Sequence, residues 1–338
     1  MSLKISGRPL IIAATTGALM LGMGGYAYRE EHRSRNLEVY VFSMKSGRSM
    51  FIRTPDDRRF LIDGGANSDI VRELSKILPF YSHHLDAVIA TNSEGKNISG
   101  LIDVINRYRV EKVYVPKFTI QSIGLASSSD LIYETFEETI KSLNIAVEEV
   151  MVGDSIDLRD ANNNINYNTT NDSSSRSIDL VFDFPLSPDE FEYSKASPPE
   201  TLFHIIYGDT SIVFLGNASN KVQKSLTISM LSADRTMNTK VQSKENALIV
   251  SHSALPANTS SDLMAVLMPK NLVYSKSLTT DTKSNSKSSS KSIVKKSSSK
   301  KPIPDPLATI LNDHRFNLKE VGTIKISSDS KQLEIKPL

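Results

Sequence analysis

Two loops in the first third of the chain carry the polar residues best placed for chemistry. Phe60–Gly65 reads FLIDGG and Val88–Gly100 reads VIATNSEGKNISG, and each is a short apolar run followed by a loop. The loops contain the carboxylates of Asp63 and Glu94, and a third candidate, His252, follows a later apolar run. A carboxylate–histidine pair can act as a general base if these side chains meet in one cleft. The structural alternative is that Asp63 caps its loop through backbone N–H groups, while His252 is a buried, hydrogen-bonded side chain.

These two loops resemble those of the metallo-β-lactamase fold, especially the soluble domain of the ComEC-like DNA-uptake competence proteins. In that family the first loop reads LIDGG, and the second reads THPHADHIGG, whose histidines and aspartate hold a metal pair. The first loop is matched here by Asp63, Gly64 and Gly65. The second loop is matched in position only, because its four ligand positions are occupied by Asn92, Glu94, Lys96 and Asn97.

The same resemblance implies further departures along the chain. The family has an aspartate before its glycine-rich loop and another within it, a bridging aspartate in TGDA, a pair of histidines after a later strand and a His-Pro before a late helix. Here LGNA replaces TGDA, one histidine of the pair is left and Ile-Pro replaces His-Pro. The residues at these positions are Ser43, Arg48, Asn217, His252, Ser253 and Ile303. The scaffold resembles a metallohydrolase, but the ligands are missing.

The changed ligands predict that no catalytic metal binds. A two-metal hydrolase needs about six to eight imidazole and carboxylate ligands, and amides bind zinc or manganese poorly. Lys96 would also place a positive charge where a cation should sit, at a cost of roughly several kcal/mol. We expect Lys96 instead to pair with Glu94 or Asp63 and to replace the charge of the metal. We therefore predict no cofactor, with zinc or manganese as the alternative.

The N-terminal part of the chain predicts a single membrane anchor. Residues 1–9 are polar, and Leu10–Tyr28 contains no charged residue, which is close to the length of about 20 residues that spans a bilayer. A basic juxtamembrane linker, residues 29–36, follows. A cleaved signal peptide, with small residues at Gly25 and Ala27, is the alternative. We predict a single-pass protein of the cell membrane with its domain on the extracytoplasmic side, although the flanking charges conflict about orientation.

Residues 37–338 read as one domain with two insertions. Strands and helices alternate through its first half, which indicates helices packed on a sheet. Together with the resemblance, this predicts an α+β fold, an αββα sandwich of two mixed sheets. Residues 159–177 and Lys276–Lys301 are polar and of low complexity, so we expect them to be mobile and dispensable for folding. The second insertion has eight Lys and one Asp, so the remaining chain carries −5 although the total is +2.

Three functions fit these patterns. The first is a membrane-anchored, catalytically inactive protein with a binding or scaffolding role at the cell envelope, acting with an unknown protein partner. The second is a divergent metal-dependent hydrolase or phosphodiesterase linked to DNA uptake. The third is a nucleic-acid-binding accessory that uses the Lys-rich insertion, whose affinity should fall steeply with salt; a solvated loop is the simpler interpretation of that segment.

Overall fold

The sequence folds into two eight-stranded sheets in a computed structural model that describes residues 36–119, 130–160, 165–166, 177–194, 199–231, 244–250, 260–275, 310 and 312–338. Sheet 1 has the order β16-β15-β1-β2-β3-β4-β5-β6. Its strands are β1 (Leu37–Val41), β2 (Met50–Arg53), β3 (Arg59–Ile62), β4 (His84–Ile89), β5 (Arg109–Pro116), β6 (Ala146–Val150), β15 (Ile324–Ser328) and β16 (Leu333–Pro337).

Sheet 2 has the order β14-β13-β12-β11-β10-β9-β7-β8. Its strands are β7 (Ser155–Asp157), β8 (Ile165–Asn166), β9 (Asp179–Phe184), β10 (Leu202–Tyr207), β11 (Thr210–Gly216), β12 (Glu245–Val250), β13 (Asn271–Tyr274) and β14 (Arg315–Asn317). The helices of the described residues are α1 (Asp69–Ile77), α2 (Gly95–Arg107), α3 (Asp130–Ser142), α4 (Asn220–Leu231), α5 (Ser261–Leu267), α6 (Leu318–Val321) and a 3₁₀ turn at Asn312–His314.

Alternation along each strand divides the apolar residues among three layers. In β3, Phe60 and Ile62 point into the core between the sheets, whereas Leu61 points outward under α1 and α2. The outer face of sheet 2 is covered in the same way by α4 and α5. The predicted mixed sandwich with helices outside is therefore confirmed for the described residues.

The strands and loops that carry the site residues all approach one edge of the sandwich. β1 and β3 are both antiparallel to β2, and β3, β4 and β5 pair in parallel, so β1, β3, β4 and β5 run in one direction. We call the edge where they end the site edge and the edge where they start the far edge. In sheet 2, β11 also starts at the far edge, since Asp209 just before it donates from its backbone N–H to the Ser330 carbonyl in the β15–β16 turn.

Two sequence predictions need revision. The apolar spacing of the sequence predicts a helix over Ser99–Tyr108, but α2 begins four residues earlier, at Gly95, because the Glu94 carbonyl accepts from the Asn97 N–H and already starts the helical turn. Lys96 and Asn97 therefore belong to a helix. Within the insertion predicted at 159–177, Ile165 and Asn166 form a short strand on β7.

Several predictions concern residues that the structure does not describe. The predicted span at 10–28 and the linker at 29–35 lie outside the described residues, as does the Lys-rich insertion at 276–301. Among the helices of the described residues, none is long and apolar enough to cross a membrane.

Candidate functional site

Asp63 lies at the centre of the site edge, directly after β3. It is fully buried and has a left-handed backbone, with φ of 55°. Its Oδ1 atom accepts the backbone N–H of Thr91 at 2.8 Å, and its Oδ2 atom accepts the Thr91 hydroxyl at 2.6 Å. Because Thr91 follows β4, these bonds tie the ends of two neighbouring strands together.

Arg48 brings a buried cation to this carboxylate. It comes from the loop between β1 and β2, and its Nε donates to Asp63 Oδ2 at 2.8 Å. Its Nη2 donates to the Thr91 hydroxyl at 2.5 Å and forms an ion pair with Glu200 Oε1. The guanidinium carbon lies 5.2 Å from the centre of the Phe214 ring, which adds a cation–π contact.

Glu200 reaches the same guanidinium from sheet 2, in the loop before β10. Its side chain is 8% exposed, and its Oε1 atom also accepts the backbone N–H of Asn217 at 3.2 Å. Gly216 makes this approach possible: its φ is +50°, and a Cβ placed there would lie 2.2 Å from Glu200 Oε1. The two sheets are therefore joined at the site edge by a carboxylate–guanidinium–carboxylate triad of Asp63, Arg48 and Glu200.

The charges of the triad are not balanced. Burial raises the pKa of Asp63 and of Glu200, and the guanidinium of Arg48 offsets only part of that rise. Burial alone would lower the pKa of Arg48, but the Glu200 and Asp63 carboxylates outweigh it and the pKa rises. Two buried carboxylates share one permanent cation, so the triad has an excess negative charge whenever both are ionised.

The second loop forms a separate polar network. Asn97 Nδ2 donates to Asn92 Oδ1 at 3.1 Å and to Glu94 Oε2 at 3.3 Å, and Glu94 N donates back to Asn92 Oδ1 at 3.1 Å. Lys96 pairs with Glu94 at 3.0 Å, with 49% of its side chain exposed. The expected lysine pair therefore forms with Glu94 and not with Asp63, whose cation is Arg48.

Glycines bring the two loops into backbone contact. A Cβ on Gly64 would lie 2.4 Å from Leu101 N, and one on Gly100 would lie 2.0 Å from Gly64 O. Gly64 N also donates to the Asn97 carbonyl at 2.7 Å. The Asp-Gly-Gly segment thus serves here to pack a loop against the start of α2.

A cleft of about 300 Å³ opens beside Arg48. Apolar side chains form much of its wall, including Met44, Met50 and Phe214. Among the described residues that line it, the charged ones are Lys45, Arg48, Lys96 and Lys319, and none of them is a carboxylate. Such a wall suits a ligand that is both apolar and negatively charged.

The predicted site residues are only partly brought together. Asp63 and the loop from Asn92 to Asn97 lie side by side, whereas Asn217 contributes its backbone N–H and exposes its side chain. His252 lies outside the described residues. Sequence reasoning noted Arg48 as a departure without giving it a role, and it missed Glu200. A buried acid without a metal needs another cation, and that requirement was the available signal.

The described residues do not fit a metal pair. Both oxygens of Asp63 are occupied, one oxygen of Glu200 holds Arg48 and Asn217 N–H, and the amides of Asn92 and Asn97 bond within their own loop. A guanidinium lies between the two acids that a metal would need. We therefore derive no step through a metal.

A second group of possible metal ligands lies at the far edge. One ligand atom each from His84, Asp86 and Glu111 falls within 4.8 Å of the others. Both Asp86 oxygens are already used, by Arg58 at 2.9 Å and by the Arg59 N–H at 2.7 Å. The interactions of Asp86 with Arg58 and Arg59 therefore account for this group of side chains without a metal.

The sequence matches no protein-family model and no curated protein. Solved structures with similarity include a diphosphatase of the PhnP family, at 14% identity and TM-score 0.38, covering 70% of this chain and 85% of that one. The subclass B3 metallo-β-lactamase MEM-A1 from a soil metagenome library gives 9% identity and TM-score 0.35, covering 63% and 75%. A long-form RNase Z from yeast gives 8% identity and TM-score 0.39, covering 71% and 37%. The sandwich described above is consistent with the metallo-β-lactamase fold.

Proposed function

We propose that the chain is a membrane-anchored, non-hydrolytic binding protein on a metallo-β-lactamase-type scaffold, related to the ComEC-like domains. The observation that carries this proposal is the guanidinium of Arg48, which lies between Asp63 and Glu200 at the site edge. It supplies one positive charge that the two buried acids share, which stabilises them in the folded domain without a metal.

The cleft supports a binding role and indicates the class of ligand. Lys45 and Lys319 have no carboxylate partner among the described residues, and Lys319 Nζ donates to the Met44 carbonyl. Next to them lies the apolar wall with Met50 and Phe214. We infer that the cleft accepts an organic anion with an apolar body, which the lysines orient by its charge.

The anchor and the location belong to the same proposal. We propose that residues 10–28 span the cell membrane and that the domain lies on its extracytoplasmic side. An unknown protein partner and nucleic-acid binding by the Lys-rich insertion stay predictions.

The proposal is tested by hydrolysis and binding assays on the full chain in detergent. Incubation with zinc or manganese should give no hydrolysis of bis-nitrophenyl phosphate or of a chromogenic β-lactam above buffer. Calorimetry should show binding of naphthalenesulfonate and much weaker binding of uncharged naphthalenemethanol. The double variant Lys45→Gln/Lys319→Gln should lose the sulfonate binding, whereas the exposed control Lys244→Gln should keep it. Metal-dependent hydrolysis abolished by Glu94→Ala or His252→Ala would establish the divergent enzyme instead.

A further inference from the structure

We propose that the far edge of sheet 1 docks on an anionic lipid bilayer through Phe80 and Tyr81. That the bilayer lies close enough to contact this edge rests on the proposed membrane anchor. The aromatic pair and the charges around it are features of the folded domain itself.

Phe80 and Tyr81 form an exposed aromatic pair on a fixed loop. They are 90% and 62% exposed, and their rings lie edge to face with centres 5.4 Å apart. The loop is held below them, because Ser82 N donates to the Pro79 carbonyl at 2.8 Å and the Ser82 hydroxyl accepts from Arg59. Aromatic side chains presented in this way suit the boundary between lipid headgroups and acyl chains.

Other exposed apolar side chains share this edge. Leu143, 47% exposed, lies between α3 and the start of β6. Met268, 61% exposed, lies between α5 and the start of β13, where its carbonyl accepts from Asn246 at 3.4 Å. The far edge therefore offers apolar contacts from both sheets.

Basic side chains surround the aromatic loop. Arg107 and Lys141 lie in the last turns of α2 and α3, which end at the far edge, as does Lys76 in the last turn of α1, where it pairs with Glu73 at 2.8 Å. Arg109 starts β5 and donates its N–H to the His83 carbonyl at 2.8 Å, which places it beside the loop. Cations in a last turn also favour the helix dipole, but here they frame an exposed aromatic pair and favour anionic lipid.

The carboxylates of this edge are mostly neutralised within the domain. Asp57 pairs with Arg59 at 2.8 Å, and Asp86 pairs with Arg58 at 2.9 Å. Glu111 remains 43% exposed, with an oxygen 3.6 Å from His84 Nε2. At the starts of β4, β5 and β6, the exposed cations Arg107, Arg109 and Lys141 therefore outnumber the exposed carboxylate of Glu111.

The chain enters the domain at the same edge. β1 starts there at Leu37, three strand positions from β4, or about 14 Å at the usual strand spacing. The predicted span ends at Tyr28, and the eight residues 29–36 reach at most about 28 Å. A bilayer crossed by that span would lie within that reach of the start of β1, which is close enough for the far edge to contact it.

The test uses single cysteines, since the sequence contains none. An environment-sensitive fluorophore is attached in the full chain at Tyr81→Cys, or at the control Leu131→Cys, which is 71% exposed at the start of α3 on the site edge. The chain is reconstituted into vesicles of phosphatidylcholine and phosphatidylglycerol that contain a spin-labelled quencher lipid. We expect several-fold stronger quenching at position 81 than at position 131, weakened when phosphatidylglycerol is omitted.

The outcomes test the docking face and the membrane anchor separately. Equal quenching at both positions, or none at position 81, overturns the docking face. A label at position 81 that is shielded from water without lipid quenching indicates a second copy of the chain as the occupant and also overturns it. Alkaline carbonate extraction of the same vesicles tests the anchor separately: a chain that resists extraction without quenching at 81 keeps the anchor and loses the docking face. A chain that is extracted, yet quenched at 81 before extraction, loses the anchor and keeps the docking face.

Discussion

Arg48 donates a hydrogen bond from Nε to Oδ2 of Asp63 over 2.8 Å, in a place where the side chains are 13% and 1% exposed. A buried carboxylate is stable only with a partner, and here the partner is a guanidinium from a neighbouring loop. The same guanidinium pairs with Glu200 from the other sheet, so one side chain holds the site edge of the sandwich together.

Removing this cation should destabilise the domain strongly. Arg48→Met leaves Asp63 and Glu200 buried without a counter-charge, and we expect a loss of about 3–5 kcal/mol in the free energy of unfolding. The control Arg159→Met removes an ion pair with Asp56 at the surface, 28% and 48% exposed, and should cost no more than about 1 kcal/mol. Urea denaturation followed by circular dichroism measures both. Equal losses of stability in the two variants would contradict the claim that the buried pairs of Arg48 stabilise the domain more than a surface ion pair does.

The excess charge of the triad predicts a pH dependence. Folding raises the pKa of Glu200 and Asp63, so their contribution to stability is complete below the ordinary carboxyl pKa of about 4 and is lost as pH rises through the raised values. Glu200→Gln removes one titrating group and keeps an acceptor for Arg48. The variant should therefore gain stability relative to the parent chain as pH increases from 4. A difference that is constant with pH, or that falls, would contradict the shared-cation arrangement.

Gly216 should tolerate no side chain, because of Glu200 rather than because of its backbone alone. Gly216→Ala combines a positive φ, which costs about 1–2 kcal/mol, with a contact 2.2 Å from Glu200 Oε1. The matched control is Gly153→Ala, where φ is +91° and no atom lies within 4 Å of the new Cβ. Thermal unfolding should show a clearly larger loss for Gly216→Ala. Equal losses of thermal stability in the two variants would mean that the Glu200 side chain can move away from the new Cβ without destabilising the domain.

Lys96 should matter little for stability. Its pair with Glu94 is half-exposed, so Lys96→Ala should cost no more than about 1 kcal/mol and should not create hydrolytic activity. The measurement is urea denaturation together with the phosphodiester assay. A loss as large as that of Arg48→Met would return the role of central cation to Lys96.

Individual strands and helices could be predicted from the sequence because their signals are local, whereas the sandwich arrangement also required the family resemblance. The apolar run before Asp63 and the alternation of strands and helices in the first half depend on neighbours in the chain, and both are present. The triad could not be derived in this way, because Arg48 and Glu200 are 152 positions apart in the sequence and meet only when the two sheets pack. The start of α2 was misplaced because glycine and asparagine indicate a loop, whereas contacts to Gly64 fix them in a helix.

The most direct test of the account is equilibrium dialysis of the full chain against zinc and manganese, with metal content and melting temperature measured before and after chelation. Because the guanidinium of Arg48 already lies between the two buried acids and pairs with both, we expect well under one metal ion per chain and no change in melting temperature. One or two tightly bound ions per chain, with a melting temperature that falls on chelation, would contradict the claim that a guanidinium has replaced the metal.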